Sequence, residues 1–443
     1  MSSTLKSTTV PLGEDASEDG LAAFLADPHA PAVALSWIRR GSGLLGFGEV
    51  TRFEVSGPER FMLAEQWWRA LSLTAQVNDP LGLPGTGPAA FGSFAFSKTS
   101  GYASRLVVPE LVIGQRNGLR WATLSTFADS APSEDDVRDA VERLLPRPQS
   151  SDDDAAQHPA LNAPIRPGSL SEAEWMAAVD EGVERIRSGA VEKIVLARDV
   201  EVDLPSAVVP ENVLARLARQ YRECWTYRVD GFVGATPEML FQVVGRTAQA
   251  RVLAGTLDRR DAVERTAEED ETAYAERVLA GSVKQRHEHQ IAIDSLVNAL
   301  EPFSEATDAH EEPFILELPN VWHLASDVKA ELLDAEGHVP SSLALVNALH
   351  PTAAVCGTPT LPAGAIIREL EHLDRGPYAG PVGWLDAAGN GEWGIGLRGG
   401  LLDGSTARLF AGCGVVEGSI PESELAETWA KFRPMLEALN VAS

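Results

Sequence analysis

The glycine-rich stretch between residues 376 and 418 limits the possible folds of this chain more than any other segment. It includes the sequence YAGPVGWLDAAGNGEWGIGLRGGLLDGSTARLFAGCGVV, where apolar residues are interrupted by glycines and turn residues, a pattern that predicts antiparallel strands. Elsewhere strands and helices mix without the regular alternation of βαβ units. This pattern favours an α/β (α+β) fold with a mixed or antiparallel sheet and helices on its outside.

A short apolar run at residues 194–197, rich in β-branched side chains, predicts a strand that is buried on both faces. A helix precedes it, since Ser171 and Glu174 form a capping box and Gly189 supplies the stop. Lys193 lies at the beginning of the strand. Its ammonium group either reaches solvent past the strand end or points to a place that needs a cation. A longer helix is predicted over residues 264–300.

The 443-residue chain carries 64 acidic and 37 basic side chains, which gives a net charge of −27. This charge repels nucleic acid and anionic membranes, so an anionic ligand has to be held by a few basic residues in one pocket. The three cysteines form no CxxC pair and indicate a reducing compartment. No signal peptide or membrane-spanning run is visible, and we expect a cytoplasmic protein.

Residues 146–168 are rich in Pro, Ser and Asp and predict a linker or a long surface loop. They separate an N-terminal scaffold portion, residues 1–168, from the region 169–438. The polar motifs lie in the second region, which we therefore expect to be catalytic.

Two motif matches are misleading. Residues 394–399, GIGLRG, have the spacing of a dinucleotide-binding loop, but a turn and a strand follow where that loop requires a helix. The triplet HEH at residues 287–289 resembles a metal motif. Neighbouring helical residues point about 100° apart, so the two histidines cannot share one ion, and at most one face of the triplet is functional.

Arg398 shares one face of the predicted strand with Gly394, Gly396 and Gly400. Glycine within a strand often marks the close approach of a ligand, and arginine binds carboxylates through two parallel hydrogen bonds. This interpretation favours an anion site. The alternative is close packing by the glycines beside a surface arginine.

Several glutamates also allow two interpretations each. Glu424, Glu427 and Lys431 share one helical face, where they form a surface ion pair or, with Glu288 from another helix, contribute to a Mg²⁺ site. Glu238 lies between apolar stretches. It is either an exposed turn residue or a general acid whose pKa is raised by a partly apolar pocket.

Nine motifs, in this order along residues 170–435, resemble the chorismate-utilising enzymes and most closely the isochorismate synthases of menaquinone and siderophore pathways. They are VEKIVLARD, GATPEMLFQ, RVLAGTLDRR, RHEHQIAID, VWHLASDV, LHPTAAVCGTP, YAGPVGWLDAAGNGEWGIGLRGG, AGCGVVEGS and ELAETWAKF. The resemblance implies a single large domain in which sheets and surrounding helices bury a chorismate site.

The resemblance also implies the roles of individual residues. Lys193 corresponds to the base that activates water, and Glu238 to the acid that protonates the departing C4 hydroxyl. The implied Mg²⁺ ligands are Glu288, Glu427 and, directly or through water, Glu424. Arg398 and Tyr378 correspond to contacts with the enolpyruvyl carboxylate. The other implied substrate-binding residues are Gly255, Thr256, His323, Ala354, Gly412, Gly414 and Lys431.

Three positions depart from the pattern of relatives. Leu257 follows AGT where many relatives carry Arg, which puts any role of that Arg in question. Ala354 stands where salicylate-forming relatives tend to carry Thr, so the chain resembles the members that release isochorismate. Cys356 replaces a common Ser and is interpreted as a packing residue.

The resemblance therefore predicts an isochorismate synthase that acts on chorismate, with salicylate synthase as the nearest alternative. An anthranilate-type aminating enzyme is disfavoured because those relatives lack a lysine at the position of Lys193. A non-catalytic chorismate-binding protein would need neither an acid nor a base. We expect a monomer with no glutaminase subunit.

Overall fold

The computed structural model describes most of the chain. The described residues are 4–14, 17, 19–26, 32–144, 161–259, 270–309, 312–317, 321–334 and 339–442. The side chains of residues 26, 144, 254, 256, 258, 284 and 288 lie outside this description.

Ten α-helices lie within the described residues. They are α1 (Ala22–Ala26), α2 (Arg60–Thr74), α3 (Glu134–Leu144), α4 (Glu172–Arg187), α5 (Pro210–Gln220), α6 (Glu271–Ala275), α7 (Val283–Leu300), α8 (Ser342–Leu349), α9 (Thr360–Glu371) and α10 (Pro421–Ala438).

Two sheets contain all 23 strands of the described residues. In chain order these are β1 (Lys6–Glu14), β2 (Leu35–Arg39), β3 (Ser42–Phe47), β4 (Thr51–Val55), β5 (Gln76–Asn78), β6 (Ala89–Ser93), β7 (Ser104–Val108), β8 (Leu111–Arg116), β9 (Leu119–Thr126), β10 (Ile165–Pro167), β11 (Lys193–Asp203), β12 (Trp225–Val229), β13 (Phe232–Thr236), β14 (Met239–Val244), β15 (Thr247–Asp258), β16 (Ser304–Asp308), β17 (Phe314–Glu317), β18 (Val321–Leu332), β19 (Gly357–Thr358), β20 (Pro381–Asp386), β21 (Gly391–Ile395), β22 (Gly399–Asp403) and β23 (Thr406–Val415).

The larger sheet has 13 strands in the order β10-β11-β23-β22-β13-β12-β2-β3-β8-β9-β1-β5, with β19 on the outer edge of β11. The smaller sheet has 10 strands in the order β16-β18-β15-β14-β21-β20-β6-β7-β4, with β17 beside β18. Almost every pair is antiparallel, and β1 with β5 is a parallel exception. Both sheets combine strands from residues 1–168 with strands from residues 169–438. The predicted mixed sheets with surrounding helices are confirmed.

The two sheets pack against each other and the helices cover their other faces. Trp37 and Leu35 of β2 share one buried cluster with Phe91, Val107 and Trp384 of the smaller sheet. On the far side, α4 and α9 form a cluster with β11 and β23. Helix α10 also packs on β23, and α7 covers β15. Within the described residues, no helix is long and apolar enough to cross a membrane.

The helix and strand predicted around Lys193 are confirmed. Ser171 accepts a hydrogen bond from the amide of Glu174, whose side chain accepts one from the amide of Ser171. Gly189, at φ +77°, follows the end of α4 in the left-handed conformation that glycine adopts readily. Strand β11 then begins at Lys193, and pairs in antiparallel register with β23 along its length.

Side chains satisfy the outer edge of β11 between its short pairings with β19 and β10. Arg375 donates to the carbonyl of Val195 at 2.6 Å, and Glu371 accepts from the amide of Ala197 at 2.7 Å. The indole of Trp175 donates to the carbonyl of Ala197 at 3.1 Å. Glu371 and Arg375 also form an ion pair, with both side chains 2% exposed. Backbone groups of a buried strand need such partners.

The expectation that one continuous strand carries Gly394, Arg398 and Gly400 is wrong. Strand β21 ends at Ile395 in the smaller sheet, whereas β22 begins at Gly399 in the larger sheet. The chain crosses between the sheets through residues 396–398, and Arg398 has a left-handed backbone with φ +49°. The glycines allow this crossing, since a Cβ on Gly399 would lie 2.2 Å from the hydroxyl of Tyr227.

The helix predicted over residues 264–300 is correct only in part. Residues 264–269 lie outside the described residues, and residues 271–300 form α6, a π-helical turn at Glu276–Ala280 and, after Gly281, helix α7. Much of the predicted linker, residues 146–160, also lies outside the described part. Residues 165–167 of that segment form β10 on the edge of the larger sheet.

Replacing one partner of the buried ion pair tests its contribution to stability. We expect Glu371→Gln to lower the free energy of unfolding by about 3–5 kcal/mol, because it leaves the buried guanidinium of Arg375 without its carboxylate. Urea unfolding followed by circular dichroism measures the change. The control is Glu369→Gln on the same helix, α9. This change removes only an exposed contact with Arg185 of α4. Equal unfolding midpoints for the two variants would contradict the assignment.

Candidate active site

A cavity of about 1080 Å³ lies beside β11 and β23 and contains most of the predicted site residues. Eleven of the fourteen line it: Lys193, Glu238, Gly255, His323, Ala354, Tyr378, Arg398, Gly412, Gly414, Glu427 and Lys431. Glu424 lies beside it, next to Cys413. The side chains of Thr256 and Glu288 lie outside the described part of the structure.

Lys193 reaches this cavity because a glycine stands beside it. Val195 pairs with Gly414, and Ala197 pairs with Gly412, in the register of β11 and β23. A Cβ on Gly414 would lie 2.8 Å from Cε of Lys193. The missing side chain therefore provides the space through which the lysine extends. Of the two alternatives for Lys193, the one in which it points into a site fits the structure.

Glu238 joins the cavity at the junction of β13 and β14. Its amide donates a hydrogen bond to Thr236 Oγ1 at 3.2 Å, and its carbonyl accepts one from the amide of Ile395 at 3.0 Å. Burial raises the pKa of Glu238 to about 7, although Lys193, Arg398 and Lys431 each lower it. A carboxyl group with this pKa exchanges a proton readily near neutral pH. Glu238 is half-buried, so it is not the exposed turn residue of the alternative interpretation.

Arg398 is held where the chain crosses between the sheets. The hydroxyl of Tyr227 donates to the carbonyl of Leu397 at 3.1 Å, and the amide of Ala235 donates to the carbonyl of Arg398 at 3.2 Å. Among the described residues, no carboxylate forms an ion pair with Arg398. Its guanidinium can therefore bind an anion, as one interpretation of the sequence predicts.

The glycines around Arg398 have a different role from the open floor suggested by the sequence. A Cβ on Gly394 would lie 2.9 Å from the Trp37 ring, and one on Gly396 would lie 2.7 Å from the Phe232 ring. These glycines serve close packing within the protein. The glycines therefore serve close packing, and Arg398 is nevertheless available for an anion. The sequence alone had left these two interpretations as alternatives.

Tyr378 and Gly412 form another part of the wall. The Tyr378 ring stacks on Phe410 with centroids 5.4 Å apart. A Cβ on Gly412 would lie 3.3 Å from the Tyr378 hydroxyl. Burial raises the pKa of this hydroxyl above its ordinary range, so it remains a neutral hydrogen-bond donor at neutral pH.

His323 and Gly255 meet at an irregularity between β15 and β18. The pairing register shifts between Ala254 and Thr256, and Gly255 there has φ +85°. His323 Nδ1 lies 3.3 Å from the carbonyl of Gly255. Burial, together with Arg398 and Lys431, lowers the pKa of His323 to about 3, which keeps this imidazole neutral.

Two carboxylates of α10, those of Glu424 and Glu427, lie close enough to influence each other. Burial raises the pKa of Glu424, and the neighbouring Glu427 carboxylate raises it further. Burial acts in the same direction on Glu427, but Lys431 and Arg398 outweigh it and lower the pKa of Glu427. Lys431 forms an ion pair with Glu427 and donates to the carbonyl of Gly412 at 2.8 Å. This pair lines the cavity and is not the surface pair of the alternative interpretation.

The described residues contain no group of three or more His, Cys, Asp or Glu that could hold a metal ion. That search did not include the side chain of Glu288. The two histidines beside it diverge, as the helical spacing predicts: His287 lines the cavity, whereas His289 is buried, with Nε2 2.8 Å from Ser326 Oγ.

Sequence reasoning missed Arg375, which lines the cavity and braces β11. Glu371 and Arg375 are four residues apart, a spacing that is usual for a surface pair at a helix end. The pair is buried because α9 packs against β11. The sequence therefore gives little indication that this pair is buried.

Glu238 allows a test that depends only on its protonation. Its pKa of about 7 exceeds the ordinary 4.5. The folded state therefore binds this proton more tightly than the unfolded state, and the stability of the wild-type protein relative to Glu238→Gln should fall as pH rises from about 4.5 to about 7. We expect a total change of roughly 1–3 kcal/mol, reduced by the partial solvent contact. Urea unfolding of both proteins between pH 4 and 9 measures it, and a constant difference would contradict the raised pKa.

Comparisons with known proteins identify the family of the chain. The family described as "Chorismate binding enzyme" matches residues 22–440. Isochorismate synthase DhbC of Bacillus subtilis is 38% identical over 60% of this chain and 68% of its own length. The salicylate biosynthesis isochorismate synthase of Pseudomonas aeruginosa is 32% identical over 95% of this chain and 88% of its own. The solved structure of MenF, the menaquinone-specific isochorismate synthase from Escherichia coli, shares the fold, with a TM-score of 0.75 at 24% identity over 98% of this chain and 94% of that one. The chain therefore belongs to the family of chorismate binding enzymes.

Proposed function

We propose that this protein is an isochorismate synthase, an isomerase that hydroxylates chorismate at C2 and expels the C4 hydroxyl. The observation that carries the proposal is the pairing of an amine with a carboxyl group in one cavity. Lys193 and Glu238 line that cavity, and Lys193 is close enough to lower the pKa of Glu238. The relatives named isochorismate synthase support the same reaction.

The reaction needs one group that removes a proton and another that supplies one. Lys193, as the neutral amine, takes a proton from water as the water oxygen bonds to C2. Glu238, protonated, gives its proton to the C4 oxygen, which leaves as water while the ring double bonds shift. One water enters and one leaves, so the product is an isomer of the substrate. The pKa of about 7 allows Glu238 to be both protonated and acidic enough for this step.

Positive side chains account for the binding of a dianion by an acidic protein. Arg398 would hold the enolpyruvyl carboxylate in a forked pair of hydrogen bonds, and the Tyr378 hydroxyl would donate a further one. Lys431 adds positive charge on the wall formed by Gly412. These groups concentrate positive charge in one cavity. This local charge attracts an anion that the net charge of −27 would otherwise repel.

We also propose Mg²⁺ as the cofactor. Glu424 and Glu427 fit such an ion, because Mg²⁺ prefers carboxylate oxygens and a cation would relieve the repulsion that raises the pKa of Glu424. Glu288 is the third expected ligand. When bound, the ion would offset the negative charge of the ring carboxylate and orient it.

Ala354 supports release of isochorismate over its further conversion to salicylate. It lines the cavity and leaves that part of the wall apolar. We propose that the product serves siderophore or menaquinone biosynthesis, the roles that the names of the relatives describe. Chromatography of the products separates isochorismate from salicylate.

Variants of the acid and the base test the mechanism. Lys193→Gln should lower the rate of C2 hydroxylation by about 10² to 10⁴, the usual contribution of a general base, with a much smaller effect on chorismate binding. With supplied ammonium at mildly alkaline pH it should form an aminated product, since free ammonia needs no deprotonation by lysine. Glu238→Gln should stop both reactions, because either nucleophile requires protonation of the C4 oxygen. A Lys193→Gln enzyme that makes isochorismate at the parental rate would refute the mechanism.

Metal removal tests the cofactor separately. We expect EDTA to abolish chorismate consumption and added Mg²⁺ to restore it. Isothermal titration with Mg²⁺ alone should show binding to the wild-type protein and at least about tenfold weaker binding to Glu427→Gln, because the variant lacks one of the carboxylates that Mg²⁺ prefers. Glu422→Gln, an exposed residue at the beginning of the same helix, is the control and should bind Mg²⁺ as the wild type does. Full activity after exhaustive metal removal would exclude the ion.

A further inference from the structure

A second cavity, of about 540 Å³, lies on the other side of Arg375 from the first. Arg375 is the one described residue that lines both cavities. The second cavity opens between the first turns of α2 and α9, where Arg60 and Leu361 lie on its wall. No residue of the proposed reaction lies in it.

Arg60 is the unusual residue of this second cavity. Its side chain is buried, at 5% exposure, and donates only to backbone carbonyls: Nε to Ala95 at 3.1 Å, Nη2 to Phe96 at 3.3 Å and Nη1 to Gly57 at 3.4 Å. A guanidinium has five N–H donors, so these bonds leave two available. Among the described residues, no carboxylate forms an ion pair with Arg60. A buried charge of this kind is costly unless an opposite charge compensates it.

The remaining charges of the wall do not supply that compensation. Arg375 is neutralised by Glu371, and the Asp374 carboxylate accepts hydrogen bonds from Ser100 and Gly101. The other charged residues that line the cavity are Lys98 and Arg368. Four cationic side chains thus face two carboxylates, an excess of two positive charges in a chain of net charge −27.

Aromatic rings provide the apolar part of the wall. Phe61 lies under the guanidinium of Arg60 at 4.3 Å, and Phe96 lies under that of Arg375 at 4.2 Å. Both rings meet the imidazole of His350 edge-on. Burial lowers the pKa of His350 to about 3, so this residue adds no charge. Leu361, at the mouth, is 86% exposed and extends the apolar surface outwards.

We propose that this cavity is a second binding site, for a small organic anion in which a carboxylate is attached to a flat unsaturated ring. Arg60 pairs with the carboxylate, and the rings of Phe61 and Phe96 contact the ring of the ligand. Lys98 and Arg368 attract the anion at the entrance. The site is separate from the reaction cavity, and its occupancy can be measured without chorismate.

Benzoate and benzamide are the probes, because they share a flat ring and differ in charge. Isothermal titration of the full chain with each compound should show binding of benzoate, and binding of benzamide at least tenfold weaker. Arg60→Gln should weaken benzoate binding by about 10- to 100-fold, the size expected for a lost charged hydrogen-bonded pair. Equal binding of the two compounds would overturn the proposal.

Gly364 permits a test that leaves Arg60 in place. A Cβ there would lie 3.6 Å from Cys356 Sγ, an ordinary contact, so a larger side chain extends into the second cavity. Gly364→Leu should abolish benzoate binding, whereas the matched control Gly364→Ala, which adds only the Cβ, should retain it. Both changes favour helix formation in α9.

The variant Arg398→Gln distinguishes benzoate binding in the second cavity from binding in the first. If benzoate occupies the second cavity, this variant should bind it as the wild type does, because Arg398 lines only the first. Loss of benzoate binding in Arg398→Gln together with normal binding in Gly364→Leu would assign the compound to the reaction cavity and overturn the proposal.

Discussion

The outer edge of β11 is the feature on which the candidate site depends. Over Val195 and Ala197, side chains of Arg375, Glu371 and Trp175 occupy the hydrogen-bonding positions that a neighbouring strand would otherwise fill. Helices α4 and α9 can therefore pack directly beside the strand. On its other edge β11 pairs with β23, and the side chain of Lys193 extends beside Gly414 into the cavity.

The electrostatics of the cavity follow from this arrangement. Lys193, Arg398 and Lys431 come from three separate parts of the chain, yet each lowers the pKa of Glu238. Burial opposes all three and leaves the carboxyl group with a pKa of about 7. A cation in closer contact with Glu238 would lower its pKa and leave the carboxyl group ionised at neutral pH. An apolar wall without cations would raise the pKa and keep the group protonated over a wider pH range. The balance between burial and positive charge sets the proton affinity of Glu238, on which the proposed general acid step depends.

Arg375 connects this cavity to the second one. Its guanidinium binds the carbonyls of Val195 and Val355, which belong to the wall of the first cavity, and lies over Phe96 in the wall of the second. A buried ion pair contributes little net stability but is strongly destabilising to break. The pair with Glu371 thus fixes the layer between the two cavities. Among the described residues, no carboxylate forms an ion pair with Arg60 in the same region.

Local patterns in the sequence were sufficient for elements that depend on neighbouring residues. The capping box of Ser171 and Glu174 and the glycine after α4 determine where that helix begins and ends, and the apolar run after Lys193 determines the strand. These predictions hold because caps and buried runs act over a few residues. The prediction of a continuous strand through Arg398 failed, because alternation along a chain does not reveal that it passes from one sheet to another.

The sequence by itself therefore determined the fold class, the family and the residue types available for the chemistry. Only the tertiary structure decided that eleven predicted residues share one cavity, that the glycines beside Arg398 pack against Trp37 and Phe232, and that Glu371 and Arg375 are buried. The physical reason is that burial and charge proximity depend on contacts between residues far apart in the chain. Such contacts set pKa values and cavities, and no local pattern specifies them.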